Sequence, residues 1–207
     1  FQQKLMVFTF LWFCLWFVSS IARPNFVFIL TDDQDKMFNS TSVMKNLNKY
    51  INGGGIEFEN GFISTPICCP SRTESISGRN YHNIGAPNGN CMHVDTVDNI
   101  FNSQTSMFQK FSSEGYITGS FGKLTNDMNE FWCNKNSSKN LFNGFDRIFC
   151  PCDYNNFYGL QYSQLYMNGT YTMYNIEKTP SAHEAVMTGN ASINFINEIS
   201  GDDKPFM

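Results

Sequence analysis

The chain changes character at about residue 22. From Val7 to Val18 it runs without a charge, through Phe10-Leu-Trp-Phe-Cys-Leu-Trp-Phe17, with Lys4 just upstream. Such a run is too short for a bilayer, which takes about 20 residues. Ser20-Ile21-Ala22 then offers the small residues of a signal-peptidase site. Residues 1–22 are therefore expected to be a signal peptide, with Met6 the expected start of translation. A signal anchor is the competing reading, but Arg23-Pro24 and a strand follow with no stop-transfer pattern.

Beyond it the pattern is that of an α/β chain. Asn25-Phe-Val-Phe-Ile-Leu30 is continuously apolar, as a strand buried on both faces of a parallel sheet would be. It ends in Thr31-Asp-Asp-Gln-Asp35, which puts carboxylates at a strand's carboxyl end, where open α/β sheets gather ligands. Residues 42–51 read as a helix stopped by Gly53-Gly54-Gly55, and 56–62 as a weaker strand. Pro70 to Gly78 fits a short helix with Pro near its first turn and Gly at its end. Residues 106–113 are helical, with Met107, Phe108 and Phe111 at helical spacing, and 116–121 form the next strand. Residues 126–178 carry no assignable pattern. Ser181-Ala-His-Glu184 is a capping box opening a helix with Val186, Ile193, Ile196 and Ile199 as its expected buried side. Lys204-Pro-Phe-Met207 looks like the start of another strand.

Composition narrows the class. The 207 residues hold 14 basic and 18 acidic side chains, and the 15% charged fraction falls below the roughly 25% of ordinary soluble domains. With an acidic balance and no Lys/Arg cluster, no nucleic-acid partner is expected. Removing residues 1–22 takes away one lysine and no acid, moving the charge from −4 to −5, and leaves six of seven cysteines. Those six (Cys68, Cys69, Cys91, Cys133, Cys150 and Cys152) are expected to pair in a secretory compartment. The sequons at Asn39, Asn136, Asn168 and Asn190 fit that route as glycosylation sites, Asn190 least securely because it lies near the apolar stripe of a helix. Cys150-Pro-Cys152 is spaced too tightly for a metal or redox motif and suits disulfides better. The expected location is the secretory pathway, lysosomal or extracellular, with no membrane span after signal cleavage.

The most informative stretch is Cys68-Cys-Pro-Ser-Arg-Thr-Glu-Ser-Ile-Ser-Gly-Arg79. It resembles the sulfatase signature C-x-P-S-R with a small residue and Gly downstream. Two further stretches resemble the same family: Arg23 to Asp35, like its opening strand with paired acids, and Gly122-Lys123, like its Gly-Lys. Alone, an Asp-Asp turn or a lysine after a strand would be a solvated surface feature. Thr31-Asp-Asp-Gln-Asp35, Cys-Cys-Pro-Ser-Arg72 and Gly89-Asn-Cys91 look most like the N-acetylglucosamine-6-sulfatases and extracellular heparan endosulfatases. So does Thr125, where many arylsulfatases carry His.

The resemblance implies an alkaline-phosphatase-like α/β/α sandwich with a mostly parallel central sheet. Residues 23–207 would be its N-terminal part, incomplete at the C-terminus and short of the family's downstream Asp-Asn pair, histidine and further lysine. It also implies a chemistry. Cys68 would be oxidised by the formylglycine-generating enzyme to an aldehyde whose hydrate attacks sulfur, releases the alcohol, and then expels sulfate. That is nucleophilic catalysis split into two easier steps. Asp32 and Asp33, with the residue-68 oxygen, would bind Ca²⁺ or Mg²⁺, which lowers the hydrate's pKa and offsets sulfate charge. Arg72 would hold the formylglycine, and Lys123 would meet a sulfate oxygen. Cys69, at the motif's variable position, is expected to be structural, as are His82, His93 and His183 by preference over catalysis.

The expected substrate is a sulfated glycosaminoglycan or sulfated sugar, with removal of 6-O-sulfate from N-acetylglucosamine. Two other readings stay open. One is a truncated, non-catalytic homologue binding sulfated glycans, and the other is an arylsulfatase of different specificity.

Overall fold

A computed structural model of the protein describes residues 23–34, 37–84, 106–124, 144–151, 161–165, 171–175 and 184–207. Outside these lie residues 1–22, where the signal peptide is expected, the Ser181 capping position, Thr125, Cys91, Cys133, Cys152, Asn136, Asn168, His93 and His183.

Helix α1 (Cys68–Ser77) begins two residues before the expected Pro70 and is ended by Gly78, whose φ of 67° is the left-handed conformation glycine adopts most readily. Helix α2 (Met107–Ser113) starts at Ser106, which accepts the Gln109 N–H while Gln109 accepts the Ser106 N–H. This reciprocal capping was readable in Ser-Met-Phe-Gln but was not anticipated. Helix α3 (Glu184–Ile199) follows much later in the chain.

The sheet runs β1 (Gly119–Phe121), β2 (Arg147–Pro151), β3 (Gln161–Leu165) and β4 (Tyr171–Asn175), in that spatial order. β1 and β2 pair in parallel with Gly119 opposite Arg147, whereas β2–β3 and β3–β4 are antiparallel. Three of these strands come from the stretch the sequence left blank. On the other side of β1, Ile117 bridges Phe206 in parallel, with Ile117 N–H to Pro205 O and Met207 N–H to Ile117 O both at 2.9 Å. The expected terminal strand is therefore present in outline, and sequence-distant segments of one parallel layer meet at residues 117–119.

α3 covers this layer. Phe195 and Ile199 are buried against Ile117, with Phe121, Ile196 and Phe206 packed around them. The expected helix face is corrected at two of its four residues, because Ile196 and Ile199 pack inward but Val186 and Ile193 are exposed at 47% and 56%. The inward stripe runs from half-buried Thr188 and Ser192 to buried Phe195 and Ile199, the i, i+4, i+7, i+11 spacing of a helix lying on a sheet. Arg147 lies with its guanidinium 5.7 Å over the Phe195 ring and pairs with Glu198 at 2.5 Å, closing the helix onto β2.

Three other expectations differ from the structure. Residues 25–30 are extended but form no ladder, and Phe26 to Leu30 are 43–70% exposed. A strand buried on both faces needs partners on both edges and layers above and below. Its backbone tie is to Phe206, through Phe26 N–H to Phe206 O at 2.8 Å and Phe206 N–H to Asn25 Oδ1 at 3.0 Å, while the Phe26 ring packs against Phe111 and Tyr116 with centroids 5.3 and 6.0 Å apart. The helix expected at 42–51 is a 3₁₀ turn, Ser40–Val43, followed by a π-helical turn, Leu47–Asn52. The Ser and Asn side chains there bond locally to backbone carbonyls (Ser42 Oγ to Asn39 O, Asn48 Nδ2 to Thr41 O), competing with a regular α-helix. The weak strand at 56–62 is absent, and its apolar side chains stand in solvent with no partner strand to bury them.

Among the described residues, no helix is long and apolar enough to cross a membrane.

Candidate functional site

Cys68 is the first residue of α1. The chain enters from Ile67, which is extended and has no side chain able to cap the helix. Its thiol is free and partly exposed, whereas Cys69 beside it is buried and disulfide-bonded, in keeping with a structural role. One helical turn on from Cys68, Arg72 is buried and aims its guanidinium at two groups: Nη1 donates to Lys123 O and Nη2 to Asp32 Oδ1 at 3.2 Å. Lys123 arrives from the end of β1. There Gly122 turns the chain at φ 88°, and its N–H donates to Phe149 O at 2.7 Å. Lys123 Nζ then donates to the other oxygen of Asp32 at 3.0 Å.

Asp32 is thus held by two cations from segments 40 and 91 residues away. Desolvation alone would raise its carboxyl. The hydrogen bonds and charges of Lys123 and Arg72 outweigh it and hold the group below its ordinary value of 3.8. Asp33 follows with φ 52°, a left-handed turn that Asp tolerates better than most residues. Ligand atoms of Asp32, Asp33 and Cys68 all lie within 4.8 Å of one another.

All five expected site residues therefore come together: Asp32, Asp33, Cys68, Arg72 and Lys123. They meet where the extended run 25–31, strand β1 and the start of α1 converge, at the carboxyl ends of the first two, as the α/β rule anticipates. Of the other candidates, His82 is exposed on the turn Tyr81–Asn83, outside this cluster. Asn39 is an exposed turn residue with φ 52°, and Asn190 is exposed on α3 and so clear of the helix's buried stripe.

Sequence reasoning gave no role to Glu74, which the structure makes a hub. Its carboxylate accepts the Ser64 hydroxyl at 2.8 Å, the Thr65 hydroxyl at 3.1 Å and the Tyr81 N–H at 2.6 Å. A lone acidic residue in the helix Cys68–Ser77 was the available signal.

Two hard carboxylate oxygens with a third donor suit part of a Ca²⁺ or Mg²⁺ shell. Ca²⁺ takes roughly six to eight oxygens, so this set fits as a portion of such a site. The thiol of Cys68 is a soft donor, and an oxygen at residue 68 would match the cation better. The two cations and two carboxylates balance in charge, so a bound dication would leave the site positive and receptive to an anion.

Comparison with known proteins agrees with this geometry. The sulfatase family model matches residues 24–207, and the chain belongs to the sulfatase family. An extracellular sulfatase SULF-1 homolog of Drosophila melanogaster is 36% identical over 109 residues, covering 52% of this chain and 10% of that protein. An arylsulfatase of Chlamydomonas reinhardtii is 47% identical over 78 residues, 34% of this chain and 12% of the relative. The N-acetylglucosamine-6-sulfatase of Homo sapiens is 34% identical over 77 residues, 35% of this chain and 14% of the relative. The matches thus span about a tenth to a seventh of these relatives' lengths. No solved structure matches significantly.

Proposed function

We propose that the protein is a sulfuric ester hydrolase that removes 6-O-sulfate from N-acetylglucosamine residues of glycosaminoglycans. The observation that carries this reading is the convergence of Asp32, Asp33 and Cys68 within 4.8 Å, with Arg72 and Lys123 bound to the same Asp32 carboxylate. The family membership supports the reaction class, and the relatives named for extracellular sulfatase and N-acetylglucosamine-6-sulfatase support the substrate.

In this reading Cys68 is the residue converted by the formylglycine-generating enzyme, and the aldehyde supplies, when hydrated, an oxygen nucleophile that a serine could not regenerate. Asp32 and Asp33 would hold Ca²⁺ or Mg²⁺, which polarises oxygens bound to it. The chain's own cations do the rest of the work. Lys123, with its side chain only 14% exposed, presents a point charge to a sulfate oxygen once the carboxylate it now holds is shared with a cation. Arg72 is fixed by the Lys123 carbonyl as well as by Asp32, so its guanidinium stays beside residue 68 through the reaction. The amino end of α1 adds partial positive charge at the nucleophile. The complete domain would be an alkaline-phosphatase-like α/β/α sandwich whose parallel layer is seeded by residues 117–121, 147–151 and 205–207. Residues 1–22 would direct the protein into the secretory pathway, with Asn39 and Asn190 as exposed glycosylation sites and the final location lysosomal or extracellular.

An arylsulfatase activity is the second reading, favoured by the 47% and 51% identities to two algal arylsulfatases over short stretches. The test is turnover by the full-length protein of a 6-sulfated N-acetylglucosamine against an aryl sulfate, with the mass of the peptide from Tyr50 to Arg72. A loss of about 18 Da relative to the thiol marks the aldehyde. Conversion with release of 6-sulfate is expected. Turnover of the aryl sulfate alone overturns the substrate assignment, and an unmodified thiol in protein from a converting host overturns the mechanism.

A further inference from the structure

The carboxylate of Glu74 has no part in the scheme above, yet it ties three segments together. It sits on α1, with Oε2 bound to Ser64 and Oε1 bound to both Thr65 and Tyr81 N–H. Ser64 and Thr65 belong to the stretch 61–67 that leads into Cys68. That stretch forms no ladder, and its apolar members Phe62, Ile63 and Ile67 stand in solvent. Among the described residues its side-chain hydrogen bonds all end on Glu74, and its one other tie is Ile67 O accepting Ser71 N–H at 3.0 Å. Because Ile67 offers no side-chain cap, the first turn of α1 lacks the anchor that usually stops fraying. The burial and disulfide of Cys69 hold the next residue along, so Glu74 is what holds the chain on the near side of Cys68.

We propose that Glu74 is a positioning residue for the nucleophile. By clamping Ser64 and Thr65 against α1, it sets the direction in which the side chain of residue 68 leaves the helix toward Asp32 and Asp33. Its effect on turnover rests on the sulfatase reading, but its effect on Cys68 does not. The clamp also favours the ionised carboxylate. Desolvation alone would raise the Glu74 carboxyl, but hydrogen bonds from Ser64, Tyr81 and Thr65, with the charge of His82, outweigh it and hold the group below its ordinary value.

The test has two arms, each comparing wild type with Glu74→Ala, Glu74→Gln and the double variant Ser64→Ala/Thr65→Val, which opens the clamp from its other side. In full-length protein made without conversion of Cys68, the alkylation rate of that thiol is read at residue 68 by peptide mass spectrometry. In converted full-length protein, kcat and KM are measured on a sulfate ester that the wild type hydrolyses. Glu74→Ala and the double variant should raise the alkylation rate about threefold or more, through local opening. They should lower kcat about tenfold with KM little changed, as expected for a misaimed nucleophile. Glu74→Gln should recover most of both, and Ser75→Ala, exposed on the same helix, should alter neither. Alkylation at the wild-type rate in Glu74→Ala and in the double variant overturns the proposal, whatever the kinetics. If the wild type hydrolyses no sulfate ester, the sulfatase reading falls, and the alkylation arm still decides the clamp.

Discussion

Replacing Asp32 by Asn keeps the side chain's shape and removes the charge that Arg72 and Lys123 share. The bonds lost are charge-assisted, at 3.2 and 3.0 Å, with partner side chains 10% and 14% exposed. Stranding a fully buried charge costs about 3–5 kcal/mol. Asp32 is 46% exposed, however, which brings the interaction toward the ~0–1 kcal/mol of surface pairs. Arg72 also keeps its bond to the Lys123 carbonyl. The balance is a loss of about 1–2 kcal/mol, which for a chain of this size lowers Tm by about 3–6 °C. The pH dependence has a definite sign. Asp32 titrates lower in the folded chain than its ordinary 3.8, so its contribution is present above 3.8 and fades as pH falls through the folded value. Thermal unfolding followed by circular dichroism in EDTA, from about pH 7 down to about pH 3, should show the gap between wild type and Asp32→Asn full at neutrality and shrinking below 3.8. A gap as wide at the acid end as at neutrality, or no gap at neutrality, refutes the ion-pair account.

Phe195→Ala should cost about 3–5 kcal/mol, because it empties the space beside Ile199 between α3 and Ile117 and Phe121 and removes the ring under Arg147. A urea midpoint that moves by less than the equivalent of about 1.5 kcal/mol would mean that α3 is not docked there. Two glycines in left-handed conformations should respond differently. Gly78→Ala meets nothing within 4 Å and should cost only the backbone penalty of about 1–2 kcal/mol, measured by denaturation. Gly122→Ala places its new methyl 3.0 Å from Thr188 Cγ2 and should cost more, while also slowing turnover because Lys123 is the next residue. Equal stability losses at the two positions would contradict this packing.

Local patterns were legible where local physics decides. Pro70 falls in the first turn of α1 and Gly78 ends it, and Phe108 and Phe111 mark α2, because caps, stops and helical spacing act over a few residues. The expected face of α3 holds at Ile196 and Ile199 but not at Val186 and Ile193, and Phe195 takes the central place. A helix's buried side is chosen by the sheet it meets, and here an aromatic ring fills the space above Gly119, where a Cβ would lie 2.7 Å from Phe195 Cε1. The run 25–30 has the composition of a buried strand, yet strand formation requires partners, which a sequence window does not contain. The stretch 126–178 was illegible for the same reason. Strands β2 to β4 are short, and their pairing, Ile148 with Leu165 or Tyr162 with Tyr174, is a matter of register between distant segments.

The site divides the same way. The order of residues alone determined the candidate chemistry, because Asp32-Asp33, Cys68-Cys-Pro-Ser-Arg72 and Gly122-Lys123 each carry it within a few consecutive positions. Only the tertiary structure decided that these three stretches share one site and that Asp32 is its electrostatic centre, since Coulomb attraction between side chains up to 91 positions apart depends on distance in space. Glu74 shows the division within one residue. Its presence in the motif was plain from the sequence, but its partners Ser64, Thr65 and Tyr81 lie seven to ten positions away, and only the packing of α1 against its flanking segments brings them onto one carboxylate.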